Sequence, residues 1–210
     1  MIDIKPAIIS ADFNEVKQKV EDLETLVKTV HIDVADGLFT SLTTHYTPDD
    51  LYDLPGRIKL EAHLMISEPE DLLRAWTTAV DRIVVHLEAV KDLETVIEAL
   101  KPYHTKLGVA VLLDTPLTDL VPYLNQIDLI QLMAIAEIGK QGEILDQKIY
   151  QKIKSLRSRF TGQIQIDGGV TLDNASELIE AGADSLVVGS AIWQAPDYVK
   201  AIENFHNLAN

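Results

Sequence analysis

The sequence predicts an α/β fold, a single (β/α)8 barrel over residues 1–210, and three observations predict it. Short β-branched runs alternate with charged, amphipathic stretches from one end of the chain to the other. The runs are nearly all-apolar rather than alternating, which is the pattern of parallel strands covered by helices. Eight such β-then-α units in 210 residues suit a compact TIM barrel, and no linker or low-complexity tract interrupts them. A doubly wound open sheet is the alternative, because pattern alone separates the two poorly.

Taken in order, the first strand is expected over Ala7–Ile9, and Asp12 caps a helix over Asn14–Lys28. Val30–Val34 follows, then the short and weakly helical Thr47–Leu54. Ile58–Leu64 is the third strand, and Ser67 before Glu70 is expected to cap a helix over Pro69–Thr78. Arg82–His86 with Leu93–Leu100, and Leu107–Leu112 with Leu117–Leu124, form the fourth and fifth units. Leu129–Met133 leads to Gln147–Ser158, and Gln163–Ile166 leads to Leu172–Ala181, capped by Thr171 before Asn174. Ser185–Val188 and Tyr198–Asn207 close the series.

Composition narrows the function. With 47% hydrophobic residues the chain can bury one sizeable core, and it has no apolar run long enough to span a bilayer. The start, Met1 to Pro6, lacks the basic and apolar stretches of a secretory signal. No cysteine is present, which excludes disulfides, thiolate metal sites and a cysteine nucleophile, and is compatible with a reducing cytoplasm. A formal net charge of -15 would repel a phosphate backbone, so nucleic acid is not an expected partner, and without a spanning apolar run neither is a membrane. An anionic small molecule could still bind in a locally positive pocket.

Four residues at strand ends carry the chemistry: His31, Asp33, His63 and Asp167. In an extended run, side chains alternate faces, so His31 and Asp33 point the same way. Catalytic residues of barrel enzymes gather at the carboxyl ends of the strands, which would bring all four into one mouth. Two imidazoles and two carboxylates suit one divalent cation (Zn²⁺, Mn²⁺, Fe²⁺ or Co²⁺), and carboxylates beside it could move protons. His86 and Glu88 end strand four and are expected to support that site rather than act in it. His45, His104 and His206 lie in polar segments, and Trp76 and Trp193 are expected to pack.

The motifs around these residues resemble those of the ribulose-phosphate 3-epimerase family. Pro6-Ala7-Ile8-Ile9-Ser10-Ala11-Asp12-Phe13 matches its first-strand signature, and His31-Ile32-Asp33-Val34-Ala35-Asp36-Gly37-Leu38-Phe39 its second, with Ala35 where the family has methionine. His63-Leu64-Met65, His86-Leu87-Glu88-Ala89, Asp114-Thr115-Pro116-Leu117 and Leu132-Met133 follow in the family's order. Asp167-Gly168-Gly169-Val170, Ala181-Gly182-Ala183-Asp184 and Val188-Gly189-Ser190-Ala191-Ile192 complete the set. The resemblance implies that His31, Asp33, His63 and Asp167 ligate the metal and that Asp33 and Asp167 serve as acid and base on opposite faces of the substrate. It further implies a sugar contact for Ser10, a substrate-facing place for His63, walls at Met65 and Met133, and a homo-oligomer.

The implied activity is inversion at C3 of D-ribulose 5-phosphate to give D-xylulose 5-phosphate through a cis-enediolate. One carboxylate removes the C3 proton and the other returns one, and apolar walls keep water from protonating the intermediate at random. Gly168-Gly169 and Gly189-Ser190 follow strands seven and eight, where barrel enzymes commonly hold a phosphate on backbone N–H groups.

The chain departs from the family in the loop at 134–143. An Asn-Pro-Gly-Phe-Gly-Gly-Gln pattern is replaced by Ala134-Ile135-Ala136-Glu137-Ile138-Gly139-Lys140-Gln141-Gly142-Glu143. Thr40-Ser41-Leu42 likewise stands in for Val-Pro-Asn. Two readings stay open: Lys140 supplies a cation in place of lost backbone donors, or Glu137 repels a phosphate and signals another sugar. The alternatives are therefore a 3-epimerase of another ketose phosphate, such as a ketohexose 6-phosphate, or a non-catalytic sugar-phosphate-binding homologue.

Overall fold

Backbone hydrogen bonding between near-continuous apolar strands organises the chain, as a computed structural model describing residues 2–140 and 142–208 shows. Eight parallel strands follow one another in sequence order around a closed barrel: β1 (Asp3–Ile8), β2 (Thr29–Ala35), β3 (Lys59–Met65), β4 (Arg82–His86), β5 (Lys106–Val111), β6 (Leu129–Met133), β7 (Gln163–Asp167) and β8 (Ser185–Val188). The helices between them are α1 (Phe13–Leu23), α2 (Leu73–Trp76), α3 (Leu93–Leu100), α4 (Lys148–Arg157), α5 (Leu172–Ala181), α6 (Ser190–Trp193) and α7 (Tyr198–Leu208). No helix among the described residues is long and apolar enough to cross a membrane.

The chain divides into two compact units. In the unit of Ala7–Val109, β2 and β3 are paired along their whole length, from Thr29 opposite Lys59 to Ala35 opposite Met65. All seven residues of β2 are buried. In the unit of Met1–Pro6 with Ala110–Asn210, β7 is flanked by β6, with Met133 opposite Asp167, and by β8, with Gln165 opposite Ser185. The start of β1 pairs with β8, from Asp3 opposite Ser185 to Pro6 opposite Val188. That ladder explains why the first strand begins at Asp3 rather than Ala7. Lys5 and Pro6 break the apolar pattern, yet both lie inside the strand and Lys5 is buried.

The helix expected over Asn14–Lys28 ends early, at Leu23, and three further helical segments differ in winding from the sequence expectation, each for a local reason. Pro69–Thr78 is a 3₁₀ turn over Pro69–Leu72 followed by the short α2. Its entry residue Glu68 is left-handed (φ 52) and gives no side-chain cap, while Ser67 donates its N–H to Asp36 Oδ2 instead of capping. Leu117–Tyr123 is 3₁₀ throughout, because Pro122 inside it cannot donate to an α-helical ladder. Pro48–Asp53 is likewise 3₁₀, opened by a Thr47–Asp50 capping box. Asp12 and Thr171 cap α1 and α5 as expected. His45 and His104 are exposed, and Trp76 is buried.

Candidate metal and proton-transfer site

Strand register places the site's side chains before any specific attraction does. His31 on β2 lies opposite Glu61 on β3, and Asp33 lies opposite His63, so two polar pairs stack along adjacent strands. His31 Nδ1 is 2.8 Å from Glu61 Oε1, and Arg82 on β4 donates from NH1 to Glu61 Oε2 at 2.9 Å. Glu61 and His31 are fully buried, so the carboxylate is sustained by these donors. An ionised carboxylate only accepts, which puts a hydrogen on His31 Nδ1, so whenever the ring is neutral Nε2 is its lone-pair atom. Nε2 faces Asp33 Oδ1 at 3.5 Å.

Asp33 is held by a second imidazole. His63 Nδ1 is 2.8 Å from Asp33 Oδ1, and His63 Nε2 is 2.8 Å from His86 Nε2, one of the two rings donating to the other. Burial pushes the Asp33 carboxyl up, but hydrogen bonds and charge from His31 and His63 outweigh it and hold the group well below the usual carboxylate range. His86 is pushed down to about 4, chiefly by burial, so the ring is neutral at ordinary pH despite a modest pull from Glu88. The Tyr46 hydroxyl donates to the Asp33 carbonyl, and the Phe39 ring packs on His86 with centroids 4.8 Å apart. Asp36 organises the following loop, accepting from the N–H groups of Leu38, Phe39 and Ser67. His86 thus supports His63 as expected.

In the other unit, Asp167 ends β7 half-buried. Gln131 on β6 donates from Nε2 to Asp167 Oδ2 at 2.9 Å, and the same amide reaches Met133 Sδ at 3.3 Å. Gly168 (φ 100) and Gly169 (φ 67) continue the chain in the left-handed region that glycine tolerates. A Cβ on Gly169 would sit 2.4 Å from the Leu145 backbone nitrogen, so space as well as torsion requires glycine there. Gly189-Ser190 opens α6.

The sequence-predicted ligands are brought together. Among the described residues, His31, Asp33, His63 and Asp167 each offer one ligand atom, and these atoms all lie within 4.8 Å of one another. The donor set suits a divalent cation: two imidazole nitrogens and two carboxylates, with His31 backed by Glu61 and His63 backed by His86. Met65 and Met133 are buried at the ends of β3 and β6. Ser10, by contrast, gives its hydroxyl to Glu15 Oε2 at 2.7 Å and accepts from the Asp12 N–H. In the 134–143 loop the Lys140 ammonium pairs with Glu137, and Gln141 lies outside the described residues.

Sequence reading missed Glu61, Arg82, Tyr46, Gln131, Gln165 and Lys5. A signal was available for three of them. Glu61, Gln131 and Gln165 each stand two residues before His63, Met133 and Asp167, which in a strand is the same face. A polar residue at that offset in an apolar run marks support beneath a site residue.

Comparison with known proteins agrees with this arrangement. The sequence model of the Ribulose-phosphate 3 epimerase family matches residues 3–193. The chain is 33% identical to ribulose-5-phosphate-3-epimerase, chloroplastic, of Arabidopsis thaliana, over 96% of this chain and 75% of that one. It is 32% identical to ribulose-phosphate 3-epimerase of Bacillus subtilis, over 96% and 97%. Among solved structures, 3-hexulose-6-phosphate synthase superposes with a TM-score of 0.72 over 99% of both chains, at 16% identity that speaks for the fold alone. A mutant tryptophan synthase α-subunit from Pyrococcus furiosus does so at 0.74, over 100% of this chain and 99% of that one, at 13% identity. From strand order, site residues and near-full-length similarity together, the chain belongs to the ribulose-phosphate 3-epimerase family, whose members are isomerases.

Proposed function

We propose that this chain, acting as one domain over residues 1–210, inverts C3 of D-ribulose 5-phosphate to give D-xylulose 5-phosphate. The observation that carries this reading is the grouping of two carboxylates, Asp33 and Asp167, with two imidazoles around a space suited to one cation. His31, Asp33, His63 and Asp167 would hold Zn²⁺, Mn²⁺, Fe²⁺ or Co²⁺. When bound, that cation supplies stabilisation for the negative charge that develops on two neighbouring substrate oxygens.

Asp33 and Asp167 move the proton, one taking it from C3 and the other returning one to the opposite face of the planar cis-enediolate. Two imidazole contacts favour the ionised form of Asp33, which readies it to accept. Met65 and Met133 exclude water while the intermediate exists, and His63 faces the substrate beside its metal role. Backbone N–H groups at Gly168-Gly169 and Gly189-Ser190 take the phosphate, so an acidic protein binds an anion through peptide dipoles. Ser10 contacts the sugar, which requires its hydroxyl to exchange Glu15 for the ligand. The protein works in the cytoplasm as a homo-oligomer.

A second substrate is favoured by one observation. Lys140 is paired with Glu137, so the altered loop brings little net positive charge towards a phosphate. A 3-epimerase of a ketohexose 6-phosphate fits that loop equally. Comparing kcat/KM for D-ribulose 5-phosphate with that for ketohexose 6-phosphates decides between them. The pentulose is expected to turn over faster, and faster hexulose turnover would reject the first substrate.

A further inference from the structure

Beneath Asp167 lies a run of side chains that the proton transfer described above does not use. Lys5 on β1 is 1% exposed, Gln131 and Gln165 are 0% exposed, and Ser185 on β8 is 1% exposed. A buried ammonium is costly unless acceptors meet its hydrogens. Lys5 Nζ donates to Gln165 Oε1 at 2.6 Å. Gln165 Nε2 donates to Gln131 Oε1 at 2.7 Å, and Gln131 Nε2 donates to Asp167 Oδ2 at 2.9 Å.

Chemistry fixes the order of donors and acceptors from both ends. An ammonium has hydrogens to give and no lone pair, so Gln165 must turn its carbonyl oxygen to Lys5 and its amide hydrogens to Gln131. Gln131 then accepts on its carbonyl and must give a hydrogen to Asp167. Asp167 Oδ2 accepts that hydrogen whether or not the carboxyl's other oxygen carries a proton, so the far end agrees. Ser185 Oγ also lies 2.9 Å from Gln165 Oε1, but a hydroxyl gives or accepts equally and cannot set the order.

We infer that Lys5 is a positioning residue for proton transfer at Asp167, acting through the Gln165–Gln131 relay that fixes one oxygen of that carboxylate. The inference rests on the reading above, in which Asp33 and Asp167 serve opposite faces of the substrate. Its consequence is directional. With one Asp167 oxygen held by an amide N–H, the plane of the other oxygen is set as well. Breaking the relay impairs transfer at Asp167 and leaves Asp33 untouched.

The test follows C3 deuterium by NMR in D₂O, starting from D-ribulose 5-phosphate and, separately, from D-xylulose 5-phosphate. Lys5→Met removes the obligate donor while keeping bulk. Gln165→Glu keeps the Lys5 contact but reverses the relay, because a carboxylate must accept from Gln131, whose carbonyl then faces Asp167. Each variant is expected to lower interconversion about 10- to 100-fold, the usual effect of losing an outer partner of a site carboxylate. Deuterium exchange into recovered starting material should persist for the one epimer whose proton Asp33 removes and fall for the other. Ser185→Ala should behave as the unsubstituted protein.

Equal loss of exchange from both epimers, or unimpaired interconversion in Gln165→Glu, would overturn the inference. If Lys5→Met does not fold, Gln165→Glu alone decides. Unsubstituted protein that neither exchanges nor interconverts the two epimers would overturn the proposed function, and the relay's role with it.

Discussion

Replacing Glu61 by glutamine tests whether His31 is tuned for a cation or simply packed. Glu61 accepts from two donors at once, His31 Nδ1 at 2.8 Å and Arg82 at 2.9 Å, with no exposure to water. A glutamine has the same shape but one oxygen, so its NH₂ must face one of those donors. If it faces His31, the ring moves its hydrogen to Nε2 and loses the lone pair that a cation needs. Arg82 has no lone pair to accept with, so an NH₂ facing it would set donor against donor; the amide therefore turns to His31, and the site loses one charge-assisted bond. Losing one such bond costs roughly 1.5–3 kcal/mol. At about 2–4 °C per kcal/mol for a chain of this size, the melting temperature should fall by some 3–12 °C in chelator. Affinity for Zn²⁺ or Mn²⁺, read by calorimetric titration, should fall about 10- to 100-fold. A lower melting temperature with unchanged metal affinity would refute the tautomer reasoning and leave Glu61 a packing residue.

Other consequences are as direct. Asp33→Asn and Asp167→Asn should each lower kcat by about 10²- to 10⁴-fold, the usual worth of a proton-transfer group, while circular dichroism shows an intact fold; a near-normal rate in either would end the scheme of two acids. The Asp36 carboxyl is partly desolvated, which raises it, but N–H groups of Phe39, Leu38 and Ser67 lower it further than burial raises it. Its folded pKa is therefore depressed, so the stability it contributes is complete above the ordinary aspartate value of about 4 and is lost as pH falls through the lower folded value. Asp36→Asn should accordingly cost about 1 kcal/mol at pH 7, with the melting difference from the unsubstituted protein shrinking in acid. A difference independent of pH would exclude that origin. Gly169→Ala should destabilise by roughly 1–3 kcal/mol, since its φ of 67 and the nearby Leu145 nitrogen both oppose a side chain. It should also raise KM for the phosphorylated substrate, and an unchanged melting temperature would show that the turn relaxes freely.

Much of this was legible in the sequence because strands write their burial into composition. β4, β6 and β8 begin and end where their apolar runs do, and His31, Asp33, His63 and Asp167 are legible as polar residues in apolar runs, although of the four Asp167 alone ends its strand. Legibility failed where a partner strand or a buried polar contact overrides local pattern. β1 extends back through Lys5 and Pro6 because β8 supplies a ladder that no local signal announces. Leu117–Tyr123 is too apolar and regular in sequence to betray the 3₁₀ winding that Pro122 imposes. Glu61, Gln131 and Gln165 read as interruptions of apolar strands, and only their two-residue offset from site residues hints at their work. Ser10 keeps its place near the end of the first strand, but its hydroxyl is committed to Glu15, a competition that sequence does not express.

Stripping the protein of metal with a chelator and titrating Zn²⁺ or Mn²⁺ back, while polarimetry follows inversion of D-ribulose 5-phosphate, tests the account most directly. Negligible inversion is expected in the stripped protein and full recovery at a single equivalent, with no recovery in His31→Ala or His63→Ala. Undiminished inversion without metal, or recovery that does not depend on those two histidines, would contradict it.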